Sequence, residues 1–104
     1  MTITKLVRAC YENSVQHGFH DLTLNVGEKI ALIHSELSEA LEDHRRGIKP
    51  DEHLPNFKNF DVELADACIR IFDLAGATGV DLESAIMAKM AYNERRPYKH
   101  GKNY

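Results

Sequence analysis

Apolar positions recur at helical spacing in four separate stretches of this chain. In the first, about Ile3 to His17, the residues Ile3, Leu6, Val7, Cys10 and Ser14 share one stripe, and Gly18 supplies a stop. The loop that follows, GFHDLTL, holds Phe19, Leu22 and Leu24 and is too apolar for a free linker, so it is expected to pack down. A second helix opens on the capping-box spacing Asn25-x-x-Glu28 and runs to about Arg46, with Ile30, Ile33, Leu37, Ala40, Leu41 and His44 as its core stripe. Arg45 and Arg46 suit the negative end of the helix dipole, and Gly47 ends it. Pro50 and Pro55 bracket a polar loop, the segment expected to be most mobile.

The third helix is predicted from about Phe60 to Ala75, with Phe60, Leu64, Ala67, Cys68, Ile71 and Ala75 facing inward. Val62, Ala65 and Ile69 add apolar surface on a second side, which calls for a wide bundle or a partner subunit. Gly76 and Gly79 are expected to break this helix. Asp81 caps a fourth, about Leu82 to Arg95, and Pro97 ends it. No strand-like alternation of useful length occurs. The pattern predicts one all-α domain over residues 1–104, an antiparallel bundle of about four helices.

Bulk properties narrow the field. With 43% hydrophobic and 28% charged residues, the composition is that of a soluble globular domain. A net charge of −3 argues against a general nucleic-acid binder, and no apolar stretch reaches the length of a membrane span. Lys5 and Arg8 interrupt the apolar run that an export signal needs, so a cytoplasmic location is expected. Cys10 and Cys68 each fit an apolar helix face and are expected to be buried thiols.

The candidate chemistry lies in two acidic pairs, Glu36-x-x-Glu39 and Glu63-x-x-Asp66. Residues three apart lie on neighbouring positions of one helical face, so side-by-side helices would bring four carboxylates together. Acids on a helix are usually solvated and paired with a cation one turn away. That accounts for Glu42 and Asp43, which have Arg45 and Arg46 in reach. Glu36, Glu39 and Glu63 have no such neighbour on their own helices, and only Asp66 has one, Arg70. Two carboxylates about 5 Å apart repel by roughly 3 kcal/mol at an effective dielectric near 20. Such a cluster is kept where protons or cations neutralise it. Oxygen donors without Cys or His select Mg²⁺ or Mn²⁺, and a di-iron site is disfavoured because no histidine follows a glutamate by three.

On the fourth helix Lys89, Asn93 and Arg96 share a face, with Tyr92 beside them and a basic tail beyond. A cationic last turn would explain the arginines by the helix dipole alone. It does not explain the lysine and asparagine one and two turns earlier. Cationic donors beside a divalent-metal cluster suit a polyphosphate substrate.

These residues together, Glu36-x-x-Glu39, a gap of 23 residues, Glu63-x-x-Asp66, then Lys89-x-x-x-Asn93-x-x-Arg96 and HGK at His100 to Lys102, resemble the MazG-like nucleoside triphosphate pyrophosphohydrolases. The stretch SELSEALEDHRRG is similar to short single-domain members, and the resemblance spans about Glu28 to Lys102. It implies Mg²⁺-dependent cleavage between the α- and β-phosphates, with Mn²⁺ able to substitute. Glu36, Glu39, Glu63 and Asp66 would hold the metal, with Glu39 and Glu63 as the catalytic acids and Glu39 handling the attacking water. Lys89, Asn93, Arg96 and Lys102 would grip the phosphates of a nucleoside triphosphate, and the chain would form a homodimer or homotetramer. For the base, His17, Phe19 and Tyr92 are candidates, with His20 and Asp21 nearby. Phe19 serves equally as a core plug, and His34 and His44 read as structural. Two alternatives stay open: a phosphoribosyl-ATP pyrophosphohydrolase, and a non-catalytic helical module that binds a nucleotide or protein.

Overall fold

A computed structural model describes residues 1–104 as four α-helices without a strand: α1 (Ile3–Gln16), α2 (Val26–Arg46), α3 (Asn59–Thr78) and α4 (Leu82–Glu94). A single 3-10 turn, Tyr98–Gly101, follows. Three helices begin on side-chain caps, each worth about 1 kcal/mol. Thr2 accepts from the Lys5 amide, Asn25 from Glu28 and Asp81 from Ser84. No helix is long and apolar enough to cross a membrane.

Gly79 ends α3 in the left-handed conformation, at φ 71°. Gly76 does not break the helix as expected; α3 runs through it to Thr78. Its role is steric. A Cβ built at Gly76 would lie 2.5 Å from the Tyr11 Cβ, so α1 and α3 approach closely there because one side chain is missing.

α3 is the central element, with α1 on one side and α2 on the other. Both run antiparallel to it. Ser14 bonds Asp73 while Tyr11 meets Gly76, and Glu36 bonds Arg70 while His44 lies against Phe60. α4 departs from this layer. Its main packing is on α1, near its own start, where the Thr4 amide donates to Glu83 Oε1 at 3.3 Å. The four helices and the absence of strands agree with the expected all-α bundle of about four helices, in which α1 and α2 make their main contacts with α3 and α4 makes its main contacts with α1.

The open shape shows in the dimensions. The radius of gyration is 16.1 Å, against about 13 Å for a compact chain of this length. The accessible surface is 8190 Å², where about 5,900 Å² is usual for this mass.

Only Glu36, Ala40, Ala67 and Ala75 are buried. The helices thus meet through small residues. Ile30, Leu37, Leu41 and His44 of α2, and Leu64, Cys68 and Ile71 of α3, were expected inside and are exposed. The Cys68 thiol is accordingly exposed, Cys10 is half-buried, and both are free.

The loop after α1 also departs from expectation. Phe19 and Leu22 point outward, at 67% and 88% exposure. The residue turned inward is His20, whose Nε2 lies 2.7 Å from Asp73 Oδ1 and whose ring packs on Tyr11. The loop after α2 is tied rather than loose. The Asp51 amide donates to Phe57 O and Asn59 to Lys49 O, both at 2.9 Å, and Asp51 Oδ2 accepts from the His53 and Leu54 amides.

Candidate metal centre

The antiparallel register of α2 and α3 sets the site. Ala40 and Ala67 are buried where α2 packs on α3, and Glu36 and Glu63 stand one turn before them. One carboxylate oxygen from each of Glu36, Glu39 and Glu63 lies within 4.8 Å of the others. Asp66 is not part of this group of oxygens.

The three carboxylates are electrostatically unlike. Glu36 is the buried one, and Arg70 Nε donates to its Oε1 at 2.8 Å. Burial alone would raise its carboxyl, but the bond from Arg70, hydrogen bonding with Glu63, the Arg70 charge and Glu39 together hold it below its ordinary range. Glu63 is the reverse. Burial first, and then Glu39 and Glu36 beside it, push its carboxyl up to about 8. Its Oε2 is buried and has no hydrogen-bond partner. Glu39 is exposed and forms the open side.

Asp66 is raised by burial and by Glu36 and Asp51, against the opposing pull of Arg70. It shares a different feature with Glu36. Both line a cavity of about 300 Å³ between α1, α2 and α3, together with Asn13, Phe19, Lys29 and Arg70.

An isolated charge cluster of this kind needs neutralisation, and here it is supplied in two ways. Arg70 balances Glu36, and a proton on Glu63 removes a second charge at neutral pH. The carboxyl that has to hold a proton, and whose second oxygen lacks a donor, is the group a hard divalent cation would relieve. Oxygen-only donors of this type suit a hard divalent cation.

The expected phosphate-binding residues lie elsewhere. Lys89 of α4 and Arg96, which lies two residues past the end of that helix and so off the expected helical stripe, stand over the Tyr92 ring, at 4.6 and 5.4 Å from its centroid. Asn93 Oδ1 is buried without a partner. The main packing of α4 is on α1, whereas the three clustered carboxylates stand on α2 and α3. Lys102 is exposed in the tail. Of the base candidates, His17 donates from Nδ1 to Asn13 O at 2.8 Å on its own helix, Phe19 lines the cavity, and Tyr92 stays with α4. His20 is engaged by Asp73, which also accepts from Ser14 Oγ at 3.0 Å. His34 is exposed.

Sequence reasoning missed Arg70 as the partner of Glu36. It stands four residues after Asp66, and that spacing points to Asp66 first. It also missed Lys29 and Asn13 at the cavity, for which no pattern in the chain gave a signal. Compared with known protein families, characterised proteins and solved structures, the chain gives no match.

Proposed function

We propose that the protein is a Mg²⁺-dependent nucleoside triphosphate pyrophosphohydrolase, converting a (d)NTP and water into a (d)NMP and pyrophosphate in the cytoplasm. Clearing of non-standard or surplus nucleotides is the role that fits. The observation that carries the reading is the approach of three carboxylates from two helices, one of them with a buried, unpartnered oxygen.

In this reading Glu36, Glu39 and Glu63 hold the cation, and Asp66 supports them from the cavity side. Bound Mg²⁺ supplies charge neutralisation of the triphosphate and a more acidic water. Arg70 keeps Glu36 ionised and fixed in direction before any ligand arrives. Glu39, the exposed member, would orient the attacking water and take its proton. The water oxygen bonds to the α-phosphorus, the bond to the bridging oxygen breaks, and pyrophosphate leaves; Lys89 and Arg96, the cations the sequence assigns to its charge, would have to reach it from their place beside Tyr92. Asn93 and Lys102 add donors to the phosphates, and Phe19 borders the cavity that takes the base end.

The Arg70–Glu36 bond favours one second reading. An internal cation already satisfies one acid, as in a module that binds a nucleotide without turnover. A panel of normal and modified triphosphates with Mg²⁺ separates the two. Monophosphate and pyrophosphate are expected, and both should vanish in Glu63→Ala while the protein stays helical. Binding without turnover would select the module, and a diphosphate product would exclude the proposed cleavage site.

A further inference from the structure

We propose that His20 and Asp73 are positioning residues: they pin the loop between α1 and α2 so that Phe19 is held as one wall of the cavity beside Glu36 and Asp66, and thereby set how sharply nucleobases are told apart. The inference rests on the pyrophosphohydrolase reading and adds what makes its cavity selective.

The cavity has a direction. Asp66, Ile69, Arg70 and Asp73 line it and recur at i, i+3, i+4 and i+7 on α3, so they form one face. Asp66 follows Glu63 of the carboxylate cluster by one turn, and Asp73 lies two turns, about 10 Å, further on. A nucleotide whose phosphates lie at the carboxylates has this floor for its nucleoside, with α1 and the loop at the far end.

Phe19 is the aromatic side chain on that cavity, and its ring does not hold itself. It is about two-thirds exposed, so its place is set by its backbone. The Phe19 amide donates to Ser14 O at 3.1 Å and Gly18 turns the chain at φ 81°, which fixes where the loop starts. Beyond it Leu22, Thr23 and Leu24 make no backbone hydrogen bond, and Asp21 has only a 3.3 Å bond to Gly18 O. Lys29 Nζ reaches Phe19 O at 3.5 Å, the outer limit of such a bond.

His20 supplies the missing tie. Its Nε2 lies 2.7 Å from Asp73 Oδ1 while Ser14 donates to Oδ2 at 3.0 Å, so one carboxylate joins α3, α1 and the loop with both oxygens engaged. The ring nitrogen facing Asp73 carries the hydrogen, because a carboxylate only accepts. Both side chains are shielded, at 12% and 15% exposure, and Tyr11 packs on the imidazole at 5.0 Å. A shielded bond to a charged acceptor is stronger than the ties around it. His20 does not line the cavity, so its effect passes through its neighbour Phe19. A wall held in one place rejects a base that does not fit, whereas a loose wall yields to any base.

Backbone ¹⁵N relaxation on the whole chain tests the pinning. Order parameters over residues 20–24 are expected at about 0.85 in the wild type and below about 0.6 in His20→Ala, with α1 and α3 unchanged. Turnover of a panel of nucleoside triphosphates tests the selectivity. The ratio of kcat/KM between the best and worst base is expected to shrink about tenfold in His20→Ala. The change should come through KM, with kcat for the best base held within about twofold. His20→Gln, whose amide can donate from the Nε2 position, should restore both readouts. Phe19→Ala should shrink the ratio as much, and His20→Ala/Phe19→Ala no further. Equal order parameters in wild type and His20→Ala, additive losses in the double variant, a fall in kcat with KM unchanged, or a wild type indifferent to the base overturns the proposal. Should the wild type hydrolyse no triphosphate while the loop loosens in His20→Ala, the pyrophosphohydrolase reading falls and the selectivity with it, and the pinning of the loop stands.

Discussion

Arg70 donates to Glu36 across the α2–α3 interface at 2.8 Å, although Asp66 stands one turn before it on its own helix. The choice follows burial. Glu36 has the more enclosed side chain, so an unpaired charge there costs more than one on Asp66.

Removing the guanidinium exposes that cost. Arg70→Ala is expected to lose about 1.5–3 kcal/mol in urea unfolding, the range for a hydrogen bond to a charged group. The double variant with Glu36→Gln should regain most of it. Calorimetric titration with Mn²⁺ should show tighter binding to Arg70→Ala, since the competing internal cation is gone.

The raised carboxyl of Glu63 sets a pH dependence of known sign. The folded protein keeps a proton on Glu63 up to about 8, whereas the unfolded chain loses it near 4.5. Between those values the folded state binds more protons, so this group's contribution to stability falls as pH rises from about 4.5 to about 8. Asp66, also raised, acts in the same direction. Thermal melts without divalent ions should therefore show Tm dropping over this window, and Glu63→Gln should flatten the drop. Mg²⁺ is expected to restore more stability at pH 8 than at pH 6, with proton release on binding.

Glu39→Ala tests the water-handling role. Loss of a general base typically lowers turnover by about 10²–10⁴-fold, and that range is expected for kcat with the circular dichroism spectrum unchanged. A drop confined to the Mg²⁺ requirement, cured at high metal concentration, would make Glu39 a ligand only.

Gly76→Ala separates steric from conformational effects. Alanine in a helix is favoured over glycine by about 1 kcal/mol. Here its methyl group meets Tyr11 at 2.5 Å, and overpacking of this kind costs about 1–3 kcal/mol. A net loss is expected in denaturant unfolding, and a gain would show that α1 yields easily.

Much of the helix pattern was legible in the chain because helix ends are chemical. Asn25 and Asp81 cap where their spacing said they would, and Gly79 adopts the left-handed stop. Gly76 was misread because a glycine that ends a helix and one that admits a neighbour look alike until the neighbour is placed. The stripes of α2 and α3 suffered a related ambiguity. Periodicity reports which residues share a face, as Leu37 and Leu41 do, and not what covers that face. The approach of Glu36, Glu39 and Glu63 followed from their helical spacing, whereas the switch of Arg70 away from Asp66 depends on interhelical register, which no local pattern encodes.

The seam of Ala40 and Ala67 has a consequence for ion choice. Ala40 and Ala67 are both buried, with Glu36 and Glu63 each one turn before them, so the spacing of the acids depends on how closely α2 and α3 pack. Mg²⁺ takes oxygens at about 2.0–2.1 Å and Ca²⁺ at about 2.3–2.6 Å. Bulk added at the seam, an alanine grown to valine, therefore acts as a shim that widens the gauge and shifts preference toward the larger ion.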